Sequence, residues 1–348
     1  MLGHEGEESL YAWLQRDNLV EHLSAGTTCH GGDNWVLQLH LVLTTTGLAQ
    51  RETVVARVFS ALREFASFQA FPDHVRDEVN TMARTHYQFQ PRASSVFGAV
   101  TKLAQSLRRE PLETYPQQLI ETKRVDQSQM RKLWLHLQSP SNVIVKLVAP
   151  AGALEAAAAA FKTEQHMGAR YAVHKFTPRE LDRYTDGGLV PNRTIAFPRP
   201  NPYIPRKLSV SSAPLVAQPL VIVPKTAQND DRSHVVTLDD RFFGDPVVHW
   251  SVRVHSPAIR GDSAASVARS AVWAALVDEQ LRTPNYTALL AGLSFHVSPM
   301  ATGIALSLSG YTDKALAVWA NSLELVKAMV PKQTAFERVR DRHLRSLE

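Results

Sequence analysis

The chain has 348 residues, 44% hydrophobic and 20% charged, with 38 Lys and Arg against 33 Asp and Glu for a formal net charge of +5. That composition suits a globular protein with a sizeable core, and the length predicts two units of roughly 100–200 residues each. Basic doublets such as Arg108-Arg109 and Lys123-Arg124 are scattered rather than blocked, the one cysteine is Cys29, and no apolar run approaches the roughly 18 residues of a membrane span; a nucleic-acid footprint, an internal disulfide framework and a spanning helix are therefore excluded.

Glu7, Glu8 and Ser9 read as a first helical turn, since acidic side chains suit the positive end of the dipole, and a helix is expected over 7–16. No strand precedes it to feed the turn at Gly3, so the start reads as a cut made inside a larger protein. A short strand is expected over 20–25. Residues 35–43 then alternate, with Trp35, Leu37, Leu39 and Leu41 on one face and Val36, Gln38, His40 and Val42 on the other, which predicts a half-buried antiparallel strand. Turn residues over 26–34 join the two as a hairpin with a long loop. Val54, Val55, Val58, Leu62 and Phe65 then fall at helical spacing. Further helices are expected over 72–87, 94–108 and 127–137, the first with Pro72 near its first turn. The run 142–149 is nearly all apolar and reads as a buried strand, followed by an Ala-rich helix over 154–161.

From 187 to about 240 the composition changes. Pro191, Pro198, Pro200, Pro202, Pro205, Pro214, Pro219 and Pro224 punctuate a stretch with little helical periodicity, which reads as a long extended connection. Beyond it an alternating strand is expected over 247–255, then helices over 263–281 and 285–290, strands over 294–298 and 304–309, and helices over 314–329 and 334–347. Helix, short strand, long strand and helix thus recur in the same order near both ends, which suggests a duplicated αβ unit.

Chemistry is sparse. None of the 14 histidines stands in an H-x-x-E-H array, the inverted zinc motif in which two imidazoles lie one helical turn apart beside a general base. The nearest approach is His74-Val75-Arg76-Asp77-Glu78, where carboxylates replace the Glu and the second His by type; it reads as a solvent-facing helix. His249 and His255 share one predicted strand and stand about 20 Å apart, too far to hold one ion. Cys29-His30 are neighbours in a turn, whereas a Cys-His dyad is made by residues that meet across a fold. No nucleophile elbow, P-loop or G-x-G-x-x-G is present. What remains is recognition. Glu5 has two readings, a helix-start carboxylate favoured by the dipole, or a carboxylate that captures the free α-amine of a peptide added to the edge of the neighbouring strand.

Several short strings follow one another in a fixed order. They are Leu2-Gly3-His4-Glu5-Gly6, Leu43-Thr44-Thr45-Thr46-Gly47-Leu48, Phe197-Pro198-Arg199-Pro200-Asn201-Pro202-Tyr203-Ile204-Pro205 and Asp239-Asp240-Arg241-Phe242-Phe243. Leu290-Ala291-Gly292-Leu293, Gly310-Tyr311-Thr312-Asp313-Lys314 and the final Glu337 to Leu347 complete the set. This ordered string resembles the insulysin and pitrilysin zinc metallopeptidases over nearly the whole chain. The resemblance implies an α+β fold with two homologous αβ units, each an antiparallel-rich sheet packed by helices, joined by a Pro-rich extended linker and both truncated. The domains expected are 1–212, the second peptidase-like unit without its first strand; 213–238, the linker; and 239–348, the start of the third.

By the same resemblance the chain holds no catalytic or metal residue, and zinc belongs to a first domain upstream of residue 1. An exosite that holds the substrate's N-terminus falls on Gly3, Glu5, Leu23, Ala25 and Thr27. The chain reads Leu23-Ser24-Ala25-Gly26-Thr27 where the family more often has Leu-Val-Gly-Gly-Gln, so Ala25 adds a methyl where a peptide backbone approaches. The function expected is a non-catalytic middle segment of a zinc metalloendopeptidase, chamber wall and substrate anchor; the alternative is a catalytically inactive homologue acting as a peptide-binding or assembly subunit. Expected partners are a peptide or small-protein substrate and the remaining domains of the parent protease, with no nucleic acid and no membrane, in a cytoplasmic setting. A missing strand would leave an unpaired sheet edge, and exposed edges recruit partners, so a homo-oligomer is also expected.

Overall fold

Ser9 begins the first helix: its Oγ accepts the Ala12 N–H at 3.1 Å, and the helix runs as α1 (Leu10–Arg16). A computed structural model describes residues 1–31, 34–68, 70–90, 95–108, 110–124, 126–150, 152–153, 161–186, 195–208, 225–238 and 245–347. In chain order β1 (Val20–Cys29), β2 (Trp35–Leu43), α2 (Thr45–Ala49), α3 (Arg51–Ser67), α4 (Asp73–Gln88), α5 (Val96–Leu107), α6 (Gln117–Ile120) and α7 (Gln127–Leu137) follow. Next come β3 (Lys162–Thr163), β4 (Arg170–Tyr171), α8 (Pro178–Asp186), β5 (Lys225–Asn229), β6 (His234–Thr237) and β7 (Val247–His255). The chain ends with α9 (Ala264–Leu290), β8 (Ser294–Met300), β9 (Gly303–Tyr311), α10 (Thr312–Lys327) and α11 (Gln333–Leu347). These helices and small antiparallel sheets form two compact units, Met1–Phe71 with Val125–Phe197 and Pro72–Arg124 with Pro198–Glu348.

In the first unit β1 and β2 pair antiparallel, Leu23 opposite Leu41, Ala25 opposite Leu39 and Thr27 opposite Leu37. The alternation of β2 turns Leu37, Leu39, Leu41 and Leu43 onto a core of Leu10, Tyr11, Leu14, Leu23, Phe59, Leu62 and Phe65, while Trp35 at the strand's start stays 56% exposed. The hairpin is longer than its turn residues predict. β1 continues to Cys29 because Thr27 and Thr28 are β-branched and join the ladder, Thr28 Oγ1 also donating to Gln38 Oε1 at 3.1 Å. Buried Arg57 lies 4.9 Å over the Trp13 ring and pairs with Asp17 at 2.5 Å, fastening α3 to α1.

A tight clasp closes the hairpin's base. Thr44 donates its N–H to the Leu19 carbonyl at 3.2 Å and its hydroxyl to the Asn18 carbonyl at 2.5 Å, while the same hydroxyl oxygen accepts the Gly47 N–H at 2.9 Å. Gly47 must be glycine there, since a Cβ would stand 1.8 Å from the Leu19 carbonyl oxygen.

The expected strand over 142–149 is not formed. Val143 and Leu147 are half-buried, but Ile144, Val145 and Val148 are 97%, 45% and 80% exposed, so the segment is not buried as its composition predicts. Among the described residues no strand lies beside it to supply a ladder. An apolar run reports a tendency to bury; it does not report whether a neighbour exists. The expected helix over 154–161 lies outside the described residues except for Phe161, as do 187–194, 209–224 and 239–240 of the proline-punctuated connection. Within that connection 225–237 forms the β5–β6 hairpin rather than a plain extended arm.

In the second unit β9 sits between β7 and β8 in an antiparallel sheet of order β7-β9-β8. Phe295, Val297, Leu306 and Leu308 from this sheet, with Leu293 just ahead of β8, meet Val277 and Leu281 of α9 and Val318 of α10 in one core. The two helices expected over 263–281 and 285–290 are a single helix with Pro284 inside it. Proline deletes one helical hydrogen bond, but packing on both sides of it holds the helix together: Leu281 and Ala288 are buried, and Asn285 Nδ2 donates to Ser322 Oγ at 2.9 Å. Gly310, at φ 139°, lies so close to Gly292 that a Cβ on it would stand 2.1 Å from the Gly292 carbonyl oxygen. Glu279, buried on α9, pairs with Arg338 of α11 at 2.5 Å, with Arg342 at 3.9 Å.

Gly47→Ala should destabilise the first unit by about 2 kcal/mol or more, because backbone meets the new methyl and cannot yield cheaply; chemical denaturation followed by tryptophan fluorescence measures it. Glu279→Ala should cost about 3–5 kcal/mol, the usual result of removing one partner of a buried ion pair. A calorimetric Tm unchanged in Glu279→Ala would contradict the weight given to that pair.

Candidate functional site

The residues singled out in the sequence fall at one corner of the first unit. The turn ahead of α1 is knitted locally: the His4 N–H reaches the Met1 carbonyl at 3.0 Å, His4 Nδ1 accepts the Gly6 N–H at 3.0 Å, and the Ser9 N–H reaches the Gly6 carbonyl at 3.1 Å. Burial, with the positive Met1 amine as a second cause, lowers the His4 imidazole to about 4, so the acceptor form of Nδ1 is the stable one. Arg16 at the end of α1 donates back to the Glu7 carbonyl at 3.0 Å.

This turn lies against β1. A Cβ on Gly3 would stand 3.0 Å from the Ala25 nitrogen and 3.2 Å from the Ala25 methyl, so the Gly3 backbone abuts the strand at Ala25. Glu5 is buried, and its Oε1 stands 3.7 Å from Nδ1 of His22, whose side chain is half-exposed. Leu23 puts its side chain into the core, whereas Ala25 and Thr27 are exposed. On one edge β1 pairs with β2; among the described residues no strand pairs with its other edge. The corner therefore combines a carboxylate with a strand edge. His22 was not foreseen, and no motif marks it; only the folded hairpin brings it to Glu5.

The remaining candidates resolve into structural roles. His74 Nε2 shares a hydrogen bond of 2.8 Å with the Pro198 carbonyl, and Glu78 Oε1 accepts the Asn201 N–H at 2.7 Å. Asn201 in turn donates to the Thr287 carbonyl at 2.7 Å and accepts the Tyr203 N–H at 2.9 Å, and Asp313 Oδ2 accepts the N–H groups of Arg206 and Lys207 at 2.8 and 3.2 Å. The metal-like spacing on α4 thus fastens the 198–207 segment within the second unit. Among the described residues no group of three or more His, Cys, Asp or Glu is placed to hold a metal ion. Cys29 ends β1 opposite Trp35, half-buried. A cleft of about 800 Å3 in the second unit is lined by Arg76, Asn80, Arg84, Glu110, Gln118 and Glu121. Several of its charged residues pair with one another or with backbone: Arg76 pairs with Asp77 at 2.7 Å, Arg84 with Glu121 at 3.3 Å, and Glu110 accepts the Gln118 N–H with both oxygens. Among the described residues no helix is long and apolar enough to cross a membrane.

Residues 87–348 match the family model described as the middle or third domain of peptidase M16. The A-factor-processing enzyme of Saccharomyces cerevisiae is 24% identical over 100% of this chain and 33% of its own length, and the insulin-degrading enzyme of Homo sapiens is 23% identical over 100% and 33%. The crystal structure of pitrilysin superposes with a TM-score of 0.71 at 22% identity, covering 99% of this chain and 35% of the other, and shares its fold. The chain spans about a third of the length of these relatives. The family match, the ordered motifs and the shared fold coincide: the chain belongs to the peptidase M16 family, the family of the insulysins and pitrilysins.

Proposed function

We propose that this chain is a non-catalytic middle segment of an insulysin-like zinc metalloendopeptidase, forming chamber wall and anchoring the N-terminus of a peptide substrate through Gly3, Glu5, Leu23, Ala25 and Thr27. The observation that carries the reading is the meeting of Glu5 with β1, the strand that has one edge without a strand neighbour among the described residues. A strand edge offers main-chain hydrogen bonds worth about 0.5–1.5 kcal/mol each, and a carboxylate next to it offers a charge-assisted bond to an α-ammonium worth about 1.5–3 kcal/mol. Ordering the peptide offsets much of this, so affinities in the micromolar to millimolar range are expected. Backbone pairing is indifferent to the side chain at Ala25, whose methyl faces Gly3.

The domain layout 1–212, 213–238 and 239–348, with the αβ units related by duplication, is part of the same proposal. The recurrence of helix, antiparallel hairpin and helix in α1–β1–β2–α2 and again in α9–β8–β9–α10 supports it. Zinc, which the family implies, does not fit the residues present: His74 and Glu78 are engaged with Pro198 and Asn201, and no ligand cluster exists among the described residues. The ion is proposed for a part of the parent protease outside these residues, together with the peptide-cleaving activity.

Two measurements test this. Elemental analysis of the purified chain should return far less than one zinc per chain; a stoichiometric ion lost on His74→Ala would refute the assignment of α4. A short peptide with a free N-terminus should bind more tightly than its acetylated twin, by about tenfold, and Glu5→Gln should abolish the difference while leaving the acetylated peptide unchanged. Equal binding of both peptides to the unaltered chain would sink the anchor.

A further inference from the structure

Helix α5 contributes no buried side chain to the second unit. Ser95 caps it, its Oγ accepting the Gly98 N–H at 3.3 Å, yet apart from Ser106 every residue from 96 to 107 is exposed. The exposure falls on large apolar groups: Val96 and Phe97 are 81% exposed, Val100 59%, Leu107 40% and Leu103 38%. At helical spacing Val96, Val100, Leu103 and Leu107 form one stripe, with Phe97 beside it, while Thr101, Lys102 and Gln105 take the other side. A single exposed apolar residue is ordinary, whereas a continuous apolar stripe along a helix marks a surface that meets something.

The charge around the stripe has one sign. Arg92, Lys102, Arg108 and Arg109 are the only charged residues from 92 to 109, with no Asp or Glu among them. Glu110, next in the chain, is buried and accepts the Gln118 N–H with both oxygens, so its charge is turned inward. Lys102 on the polar side of α5 and Arg108 at its end are both exposed. We propose that α5 lies on an anionic lipid surface, its apolar stripe at the boundary between headgroups and acyl chains and its cations among the headgroups. A helix lying in that plane needs neither the length nor the uniform apolarity of a spanning one. The lack of a spanning helix among the described residues, on which the expectation of no membrane rests, therefore concerns a different mode of contact.

Two other occupants fit less well. A second copy pairing stripe to stripe would bring only Val96, Phe97, Val100, Leu103 and Leu107 from each protomer, where a stable interface uses roughly 20–30 residues a side. It would also gather cations of one sign with no acid from either copy to meet them. A folded neighbouring domain is served by the stripe alone and gives no reason for the flanking charge to be one-signed. Anionic headgroups call for both features, since the stripe supplies burial and each Lys or Arg near the surface tightens binding roughly fivefold. The proposal does not rest on the peptide anchor, which belongs to the first unit.

The test cosediments the whole chain with vesicles of phosphatidylcholine alone and of phosphatidylcholine carrying phosphatidylserine at about a third of the lipid. At about 0.1 M salt the serine-lipid vesicles should bind at least tenfold more tightly, and about 0.5 M salt should remove most of that preference. The double variant Phe97→Gln/Val100→Gln should bind the serine-lipid vesicles at least about tenfold more weakly, with circular dichroism and Tm unchanged because both side chains are exposed. Lys102→Gln/Arg108→Gln should lose most of the preference for the anionic vesicles. Ile144→Gln, 97% exposed but away from α5, should bind as the unaltered chain does. No binding to either vesicle, equal binding to both, or binding that survives Phe97→Gln/Val100→Gln overturns the proposal. So does a dimer seen by sedimentation velocity without lipid and dissolved by that same double variant, since the stripe then holds a second copy. A longer parent chain that ignores the vesicles bound by this one also overturns it, since its own domains then cover α5.

Discussion

The first unit depends on one close approach of backbone to backbone, Gly47 against the carbonyl of Leu19. Asn18 turns the chain at φ 55° just after α1, and Leu19 then offers its carbonyl to the N–H of Thr44. Because those residues stand at the start of β1 and the end of β2, a single knot fixes both ends of the hairpin's base. Any side chain at 47 would push the knot open. The rest follows outward from it. The register of β1 against β2 puts Leu23 into the core and His22 beside the turn, and the turn, capped into α1 by Ser9, puts Glu5 where His22 arrives. A motif that reads in the sequence as a strand-to-helix joint, Leu43 to Leu48, is in physical terms the clamp on which the corner with Glu5 rests.

Much of this was legible beforehand because it is written in periodicity. The β2 alternation, the helical spacing of Val54 to Phe65 and the strands around β8 and β9 all report a side chain's direction relative to a core, and the structure puts them there. What was not legible depends on neighbours. The run 142–149 carries the right residues for a strand but has no ladder among the described residues, and apolar composition contains no information on that point. Pro284 reads as a break, since a lost hydrogen bond costs a few kcal/mol in an isolated helix; burial of Leu281 and Ala288 on either side outweighs it. Hairpin β5–β6 lacks a hydrophobic pattern because it buries little, every residue of both strands being exposed. At the candidate site, Gly3, Glu5 and the strand could be named from motif alone, but the approach of His22 to Glu5 could not. It is a contact across 17 positions of sequence, made by the fold.

The histidines illustrate why a ligand-like spacing carries little weight without geometry. His74 and Glu78 lie one helical turn apart on α4, as two metal ligands would, and both point at the same thing. That thing is the chain itself: the Pro198 carbonyl and the Asn201 N–H. Proline-rich segments have few donors and no regular partner for their carbonyls, so they need side chains from elsewhere to hold them. Asn201 and Asp313 complete the fastening with four further hydrogen bonds, and Tyr203 receives one from Asn321 at 3.0 Å. The polar residues of α4 that could have been chemistry are spent on ordering a segment that cannot order itself.

The same economy bears on how the proposed anchor would discriminate. Strand addition reads no side chain at the points where backbone pairs with backbone, so the departure at Ser24 and Ala25 alters the surface a peptide crosses but not the donors and acceptors it meets. Selectivity then has to come from the two features that are not backbone: the methyl of Ala25, which stands at Gly3 and restricts how deeply a chain can settle, and the charge at Glu5. Of these only the charge distinguishes a chain terminus from a chain interior.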